Sequence, residues 1–224
     1  MYECHIIIDF EFNPVMKNYR NVLRDEIVEI GAIKLNPQFE EIGRFSCLVK
    51  PQMNTIVEPK ITKLTTIRTS DVMNAVDFSE AINMLSEWIG TAKARIYSWS
   101  DNDLRQLEDE CYAKDVAFPE NMMRWMDLQK VFQRIIHYPS SMCIGLHYAA
   151  NMLQVSYDDK SAHRALYDAF VTSKILTKVK SDEYKQELIK AKDCFVPEQR
   201  TSTYTISSAC GDMLLAFMKN MATV

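Results

Sequence analysis

The sequence predicts an α/β protein in which a mixed β-sheet is covered by helices on both faces. Strand patterns come first along the chain, strand and helix patterns then alternate, and helical patterns follow. A chain of 224 residues is long enough to bury one substantial core. This order of elements is typical of a mixed sheet whose two faces are packed by helices.

The first strand, Ile6 to Phe12, places two acidic side chains next to each other. Side chains alternate along a strand, so Asp9 and Glu11 share one face and the apolar residues share the other (Ile6, Ile8, Phe10 and Phe12). Three consecutive isoleucines are typical of a strand at the centre of a sheet. Because neighbouring carboxylates repel and raise each other's pKa, we expect the pair to share a divalent cation.

Two further strands are expected to complete an antiparallel meander. The polar stretch Asn13–Asp25 has no apolar period, which indicates a loop. β-branched residues then cluster in Glu26–Leu35 and Gly43–Val49, and a turn lies between them at Asn36 and Pro37.

Helical patterns begin in the second third of the chain. Apolar residues recur at helical spacing from Phe78 to Ile89, and Asp77 precedes them as a candidate N-cap. A short strand, Arg95–Trp99, leads into a helix that runs from about Leu104 to Ala113. Three further helices are predicted in the remaining part of the domain (Leu128–Ile136, Leu146–Leu153 and Ala162–Val179).

The last part of the chain differs in composition and apolar pattern from the rest. Ser181 is expected to cap an exposed helix, and a Ser/Thr-rich link then precedes an amphipathic helix with four apolar residues on one face (Leu214, Phe217, Met218 and Met221). We therefore divide the chain into a domain, residues 1–180, and a C-terminal helical extension, residues 181–224. The extension packs either on its own domain or on a partner chain, such as a second copy in a homodimer.

The composition argues against several classes of protein. The net charge is −4, which argues against a protein that holds long duplex nucleic acid mainly by neutralising phosphates, but a local metal site can still take a few nucleotides. Six cysteines form no Cys-x-x-Cys pair, which is typical of reduced thiols in a cytoplasmic protein. The apolar runs are far shorter than the roughly 20 residues that span a bilayer, so no membrane partner is expected.

A third acidic candidate follows the short strand. Asp103 lies where a helix begins after a strand, which is the carboxyl edge of the sheet, where ligands bind in open α/β folds. Asp101 competes with it for this role. Either residue could instead be only an N-cap.

His163 and Asp168 form the last candidate motif. Five residues at 100° each leave them about 140° apart on a helix, so they cannot chelate from one helix face. If His163 lies on the preceding loop or first turn, Asp168 can reach a metal one turn deeper while the imidazole approaches from the side. The other histidines are expected to have surface or core roles (His5, His137 and His147).

Taken in this order, the three segments resemble the DEDDh family of 3′–5′ exonucleases over about residues 3–180. Its first motif corresponds to Asp9-Phe10-Glu11, its second to Asp103 followed by an apolar residue, and its third to His163 through Asp168. The Asp-Phe-Glu tripeptide and the residues around Asp103 are most similar to those of the Eri-type exoribonuclease branch. The resemblance implies an RNase H-like fold with a five-stranded mixed sheet.

The resemblance also implies a mechanism. The acidic residues Asp9, Glu11, Asp103 and Asp168 would hold two Mg²⁺ or Mn²⁺ ions, roughly 3.5–4 Å apart, across the scissile phosphate. His163 would be the catalytic base, since imidazole ordinarily titrates near neutral pH. The expected products are nucleoside 5′-monophosphates.

Several residues are placed at the substrate by the same resemblance. Leu64 and Thr65 would pack on the terminal base, and the flank after Glu11, including Phe12, would meet the terminal sugar. The full set of expected substrate-binding residues is Phe10, Phe12, Leu64, Thr65, Ile67 and Trp99. Stacking of this kind favours single strands. Leu64 and Ile67 are equally compatible with an ordinary core. The sequence departs from the family pattern at Thr66, where glycine is common, and at Tyr167, where a second aspartate often stands.

Three functions are therefore compared. The first is a metal-dependent exonuclease on single-stranded RNA or 3′ overhangs. The second is a DNA-directed proofreading or repair exonuclease, which only the handling of the 2′-OH would separate from the first. The third is a nucleic-acid-binding scaffold that keeps the fold without catalysis.

Overall fold

A computed structural model of the protein describes residues 2–136, 138 and 142–181. The helix expected after Ser181, the amphipathic helix expected around Leu214 and nearly all of the C-terminal extension lie outside these residues. The division of the chain at residue 180 therefore stays a prediction.

The core of the fold is a mixed five-stranded sheet in the order β3-β2-β1-β4-β5. β2 pairs antiparallel with both β1 and β3, whereas β4 pairs parallel with both β1 and β5. Strand β1 is therefore at the centre, as its isoleucines predict. The strands are β1 Cys4–Pro14, β2 Asp25–Leu35, β3 Glu41–Leu48, β4 Ala94–Ser98 and β5 Trp125–Asp127.

The described residues form seven α-helices. They are α1 Pro59–Thr65, α2 Thr69–Val72, α3 Phe78–Ile89, α4 Asn102–Ala113, α5 Leu128–Ile135, α6 Leu146–Met152 and α7 Ala165–Lys180. Short 3₁₀ turns occur at Lys17–Tyr19 and Glu120–Met122. Asp77 caps α3 as predicted, because its side chain accepts the backbone N–H of Glu80. The two short helices α1 and α2 and the three-residue strand β5 were not predicted from the pattern of residues.

Two apolar layers enclose the sheet, so the predicted helices on both faces are confirmed. Ile6 and Ile8 of β1 belong to a cluster with residues of α3 and α4, whereas Ile7 belongs to the opposite cluster with residues of α5, α6 and α7. The three isoleucines are 0% exposed. Each contributes roughly 1.5–3 kcal/mol through burial, which makes β1 a rigid support for the polar residues at its end.

Hydrogen bonds tie the segment before α1 to the end of β1. Asn13 is fully buried, and its Oδ1 accepts the N–H of Glu58 at 2.9 Å while its Nδ2 donates to the carbonyl of Ile56 at 3.1 Å. The Glu26 carboxylate of β2 accepts three backbone N–H groups of the same segment (Gln52, Met53 and Asn54). These bonds satisfy the polar groups of a loop and set its position against the sheet.

A buried ion cluster joins α4 to β2. The Nζ of Lys114 lies 2.8 Å from Glu26 Oε1 and 2.7 Å from Glu110 Oε1, and both glutamates are buried. Glu110 also accepts the backbone N–H of Ile27. Every charge in the cluster therefore has a partner, which a buried charge requires.

No helix in the described part of the chain is long and apolar enough to span a bilayer. Four described cysteines are free thiols (Cys4, Cys47, Cys111 and Cys143). The cytoplasmic location expected from the sequence stays a prediction.

Candidate active site

Strand β1 places Asp9 and Glu11 on the face of the sheet that α7 covers. Phe10, between them, packs into the opposite apolar cluster, so the side chains alternate as predicted. Across the β1–β2 ladder, Asp9 faces Gly31 and Glu11 faces Glu29. The register shifts directly after Glu11, at a bulge, which ends the regular part of the pair.

Asp103 meets this strand from the first turn of α4. Its Oδ1 accepts the backbone N–H of Phe10 at 3.1 Å, and the residue is buried. That bond holds the Asp103 carboxylate beside the strand segment that carries Asp9 and Glu11.

Asp101 has a different role in the structure. Its Oδ2 lies 2.6 Å from Lys130 Nζ and 2.7 Å from an Arg105 guanidinium nitrogen. Lys130, followed by Arg105, lowers the pKa of the Asp101 carboxyl. It occupies the N-cap position of α4 but makes no capping hydrogen bond with its side chain. The structure thus favours Asp103 over Asp101 as the acid of this segment.

His163 lies just before α7, and Asp168 lies in the first turn of that helix. The helical angle between the two positions is therefore irrelevant, since only Asp168 is on the helix. Asp168 Oδ2 accepts the backbone N–H of His163 at 3.1 Å. The side-chain atoms of Glu11, His163 and Asp168 that can bind a metal ion all lie within 4.8 Å of one another, and His163 is exposed. His163 therefore lies on the loop before the helix and Asp168 lies on the helix, which is the condition stated in the sequence analysis.

Burial and nearby carboxylates, Glu29 among them, raise the pKa of all four carboxyl groups. Burial is the largest cause at each, and neighbouring carboxylates add to it. The pKa rises to about 8 at Glu11, about 7 at Asp103 and about 6 at Asp168, and it lies well above the ordinary value at Asp9. Ionising all four groups together therefore requires a compensating positive charge.

Three residues near these acids were missed by sequence reasoning. Glu29 is buried opposite Glu11, and Arg164 pairs with it through its guanidinium. Tyr157 stacks on His147 with ring centroids 4.7 Å apart, and burial beside the Asp168 and Asp9 carboxylates raises the pKa of its hydroxyl. Neither Glu29 nor Tyr157 stands in a local pattern that distinguishes it from other polar residues of strands and loops.

Comparison with known proteins identifies the fold and the family. The model of the RNase_T exonuclease family matches residues 6–176. The chain belongs to the DEDDh 3′–5′ exonuclease family. It is a 3′–5′ exonuclease, that is, a phosphodiester hydrolase that acts on nucleic acid.

Individual relatives of this exonuclease cover different shares of their own length. It is 27% identical over 209 residues to "Probable 3'-5' exonuclease KapD" of Bacillus subtilis (strain 168), covering 91% of this chain and 97% of that protein. It is 26% identical over 156 residues to "ERI1 exoribonuclease 2" of Mus musculus, covering 59% of this chain but only 22% of that protein. The solved nuclease domain of 3'hExo, a DEDDh family member bound to rAMP, superposes with a TM-score of 0.72 at 23% identity, over 82% of this chain and 94% of that one.

The acidic cluster of the exonuclease fits divalent cations. Asp168 Oδ1 is buried and has no hydrogen-bond partner among the described residues, although its companion Oδ2 is bonded. A buried carboxylate oxygen without a partner is unfavourable unless a cation or proton satisfies it. Carboxylate oxygens are the ligands that Mg²⁺ and Mn²⁺ prefer, and the family is typically metal-dependent.

The residues expected at the substrate are placed very differently from one another. Leu64 on α1 is 48% exposed and Phe12 is half-buried, so both side chains offer surface. The side chains of Phe10, Ile67 and Trp99 are buried in apolar clusters, and the Trp99 indole donates to the carbonyl of Ile144. These three side chains pack against the protein itself, and their contact with the substrate stays a prediction.

Thr65 is also committed to the protein. Its hydroxyl donates to the carbonyl of Ile61 and accepts the N–H of Ile67, and the residue is buried. Only its backbone remains to meet a base, which leaves Leu64 as the exposed apolar side chain of this segment.

Proposed function

We propose that this exonuclease removes nucleoside 5′-monophosphates from the 3′ end of single-stranded RNA or 3′ overhangs in a metal-dependent reaction. The observation that carries the proposal is the convergence of Asp9, Glu11, Asp103 and Asp168 with the His163 imidazole at one end of β1.

The proposed roles follow from the chemistry of these groups. The four carboxylates would hold two ions, Mg²⁺ or Mn²⁺, which when bound supply positive charge to the phosphate and to the departing 3′ oxygen. The exposed imidazole of His163 would take a proton from the water whose oxygen attacks the phosphorus. The bond between phosphorus and the 3′ oxygen breaks in the same reaction, and the nucleotide leaves with a 5′ phosphate.

Single-strand preference is supported by the exposed side chain of Leu64 next to the tied segment at residues 52–58. A base can stack on such a side chain only when it is not paired in a duplex. The preference for RNA is supported by the name of the mouse relative, an exoribonuclease, and by the rAMP bound to 3'hExo.

The test is product analysis with matched substrates. Single-stranded RNA and DNA of identical sequence, labelled at the 5′ end, would be incubated with Mg²⁺ or Mn²⁺, with a chelator control and with 3′-blocked strands. We expect an RNA ladder that shortens from a free 3′ end only when metal is present. Faster turnover of DNA would assign the DNA-directed alternative, and tight binding without release of mononucleotides would assign the scaffold.

The same assay tests the acid cluster. Asp168→Asn removes one metal ligand but keeps a side-chain oxygen that can accept the His163 N–H, so the fold should survive. We expect turnover to fall by at least about 10²-fold, because metal-ion catalysis supplies several kcal/mol of barrier reduction. Asp109→Asn, which changes an exposed aspartate on α4, is the matched control and should retain full activity. Wild-type turnover in Asp168→Asn would show that this ligand is misassigned.

A further inference from the structure

Glu29 is a buried carboxylate that the proposed reaction does not use. It is 1% exposed and stands directly opposite Glu11 across the β1–β2 pair. Two like charges directly opposite each other destabilise a sheet. A glutamate at this position therefore needs a positively charged partner to offset the repulsion.

The partner comes from the residues just before α7. Glu29 Oε1 lies 2.6 Å from an Arg164 terminal guanidinium nitrogen, and the Arg164 Nε lies 3.1 Å from Oε2. The same carboxylate accepts the backbone N–H of Ala165, the first residue of α7, at 3.0 Å. Glu29 thus does for α7 what an N-cap side chain does for most helices, since it satisfies a free N–H and places a negative charge at the helix start.

The neighbouring position on the same strand face completes this contact. A Cβ atom at Gly31 would lie 2.1 Å from the Ala165 carbonyl carbon, so only glycine permits such a close approach. Glu29 and Gly31 together therefore fix the first turn of α7 against β2. We call this contact the α7 seat.

His163 is attached directly to the α7 seat. It precedes Arg164 and has a φ of 59°, in the left-handed region that is unfavourable for a residue with a Cβ. Such a conformation persists only when surrounding contacts enforce it. The contacts that hold this segment include the Glu29 bonds to Arg164 and Ala165 and the bond from His163 N–H to Asp168.

We propose that Glu29 is a positioning residue that, through Arg164 and Ala165, holds the His163 imidazole at the acid cluster. The inference rests on the proposed role of His163 as the base. Glu29 itself touches neither substrate nor the reacting atoms, and its charge is already paired with Arg164.

A double-mutant cycle tests this role. Wild type, Glu29→Gln, His163→Ala and the double variant would be compared for kcat and KM on single-stranded RNA with Mn²⁺, for Mn²⁺ affinity and for the urea midpoint. We expect Glu29→Gln to lower kcat at saturating Mn²⁺ by about 10–100-fold, as loss of a supporting partner does, with KM unchanged. In the His163→Ala background, Glu29→Gln should have no further effect on kcat.

Two controls separate this role from a general loss of structure. Glu41→Gln breaks a glutamate–arginine pair with Arg44 on the outer strand β3 and a 3.9 Å contact with Lys174 in the C-terminal half of α7. Both lie away from the α7 seat, so kcat should be unchanged. Arg164→Lys alters the same pair from its more exposed partner, so it replaces Glu29→Gln should that variant fail to fold.

The outcomes distinguish the inference from the function on which it rests. An equal loss of kcat from Glu29→Gln with and without His163, or a loss traced to weaker Mn²⁺ binding, would overturn the positioning role alone. Wild-type kcat in His163→Ala would overturn the base assignment and the inference with it.

Discussion

Thr66 has a backbone conformation that is costly for its residue type. It ends α1 with a φ of 65° and donates its N–H to the carbonyl of Thr62. A helix end of this kind usually carries glycine, because a Cβ in the left-handed region clashes with the backbone. The turn that precedes Ile67 therefore forms with threonine, but at a cost of about 1–2 kcal/mol.

We expect Thr66→Gly to stabilise the protein. Relief of the left-handed strain outweighs the extra chain entropy of glycine, for a net gain of roughly 0.5–1 kcal/mol in the free energy of unfolding. Urea denaturation measures this gain. Lys63→Gly, at an exposed position inside the same helix, should instead lose about 1 kcal/mol. A loss of stability in Thr66→Gly would show that the threonine side chain has a compensating contact.

At the level of elements, the site is an assembly of one strand and the ends of two helices. β1 carries two acids, α4 brings Asp103 to the backbone of that strand, and α7 brings Asp168. Each helix delivers its acid in its first turn, where the helix dipole favours a negative charge. The site therefore depends on where α4 and α7 begin, and a small shift of either start displaces a carboxylate.

Gly31→Ala is expected to produce such a shift. Its Cβ would overlap the Ala165 backbone, so α7 must move, and the free energy of unfolding should fall by about 1–3 kcal/mol or more. Nuclease turnover should fall with it. The matched control is Gly43→Ala on β3, whose Cβ would meet the Trp88 ring at 3.5 Å and the Lys34 Cβ at 3.8 Å, both ordinary contacts. Equal stability of the two variants would mean that α7 is not held tightly against β2.

For the whole molecule, the acid cluster makes stability depend on pH and metal together. In the unfolded chain these carboxyls lose their protons near pH 4, whereas in the native state they keep them up to about pH 6 at Asp168, 7 at Asp103 and 8 at Glu11. Between those values the native state binds more protons than the unfolded state. Its free energy of unfolding therefore falls as pH rises through this window.

We accordingly expect the melting temperature of the metal-free protein to fall between pH 5 and pH 8. Mn²⁺ should raise it more at pH 8 than at pH 5, because the cation replaces protons on the carboxylates. Thermal melts with chelator or with Mn²⁺ across this range provide the measurement. Glu11→Gln should reduce both dependences, and a Mn²⁺ effect that is the same at every pH would contradict the linkage.

Local patterns predicted the elements whose sequence is itself periodic or apolar. The isoleucines of β1 and the helical spacing of α3 are signals of this kind, and both elements were predicted. Strand β5 has only three residues, and α1 and α2 are short with few apolar positions, so none of the three has a detectable apolar period. Their places are determined by contacts with the rest of the fold.

Candidate site residues could be predicted where one segment carries its own motif. Asp9 with Glu11, and His163 with Asp168, stand close in sequence and in the structure. Glu29 has no such neighbour, since its partner Arg164 is 135 positions away, and in sequence it resembles any polar residue of a strand. Trp99 and Phe10 are buried in apolar clusters, and proximity to a motif does not reveal which way an aromatic ring points.

The bonds of Asn13 have a consequence for how far the enzyme advances at each turnover. Asn13 stands two residues beyond Glu11 on the same strand and holds the backbone that leads into α1 and Leu64. If Leu64 meets the last base as proposed, the interval between that base and the cleaved linkage is set by a hydrogen-bonded frame and not by a hinge. Such a frame keeps that distance fixed. If the distance is one nucleotide, the enzyme would release mononucleotides regardless of base identity.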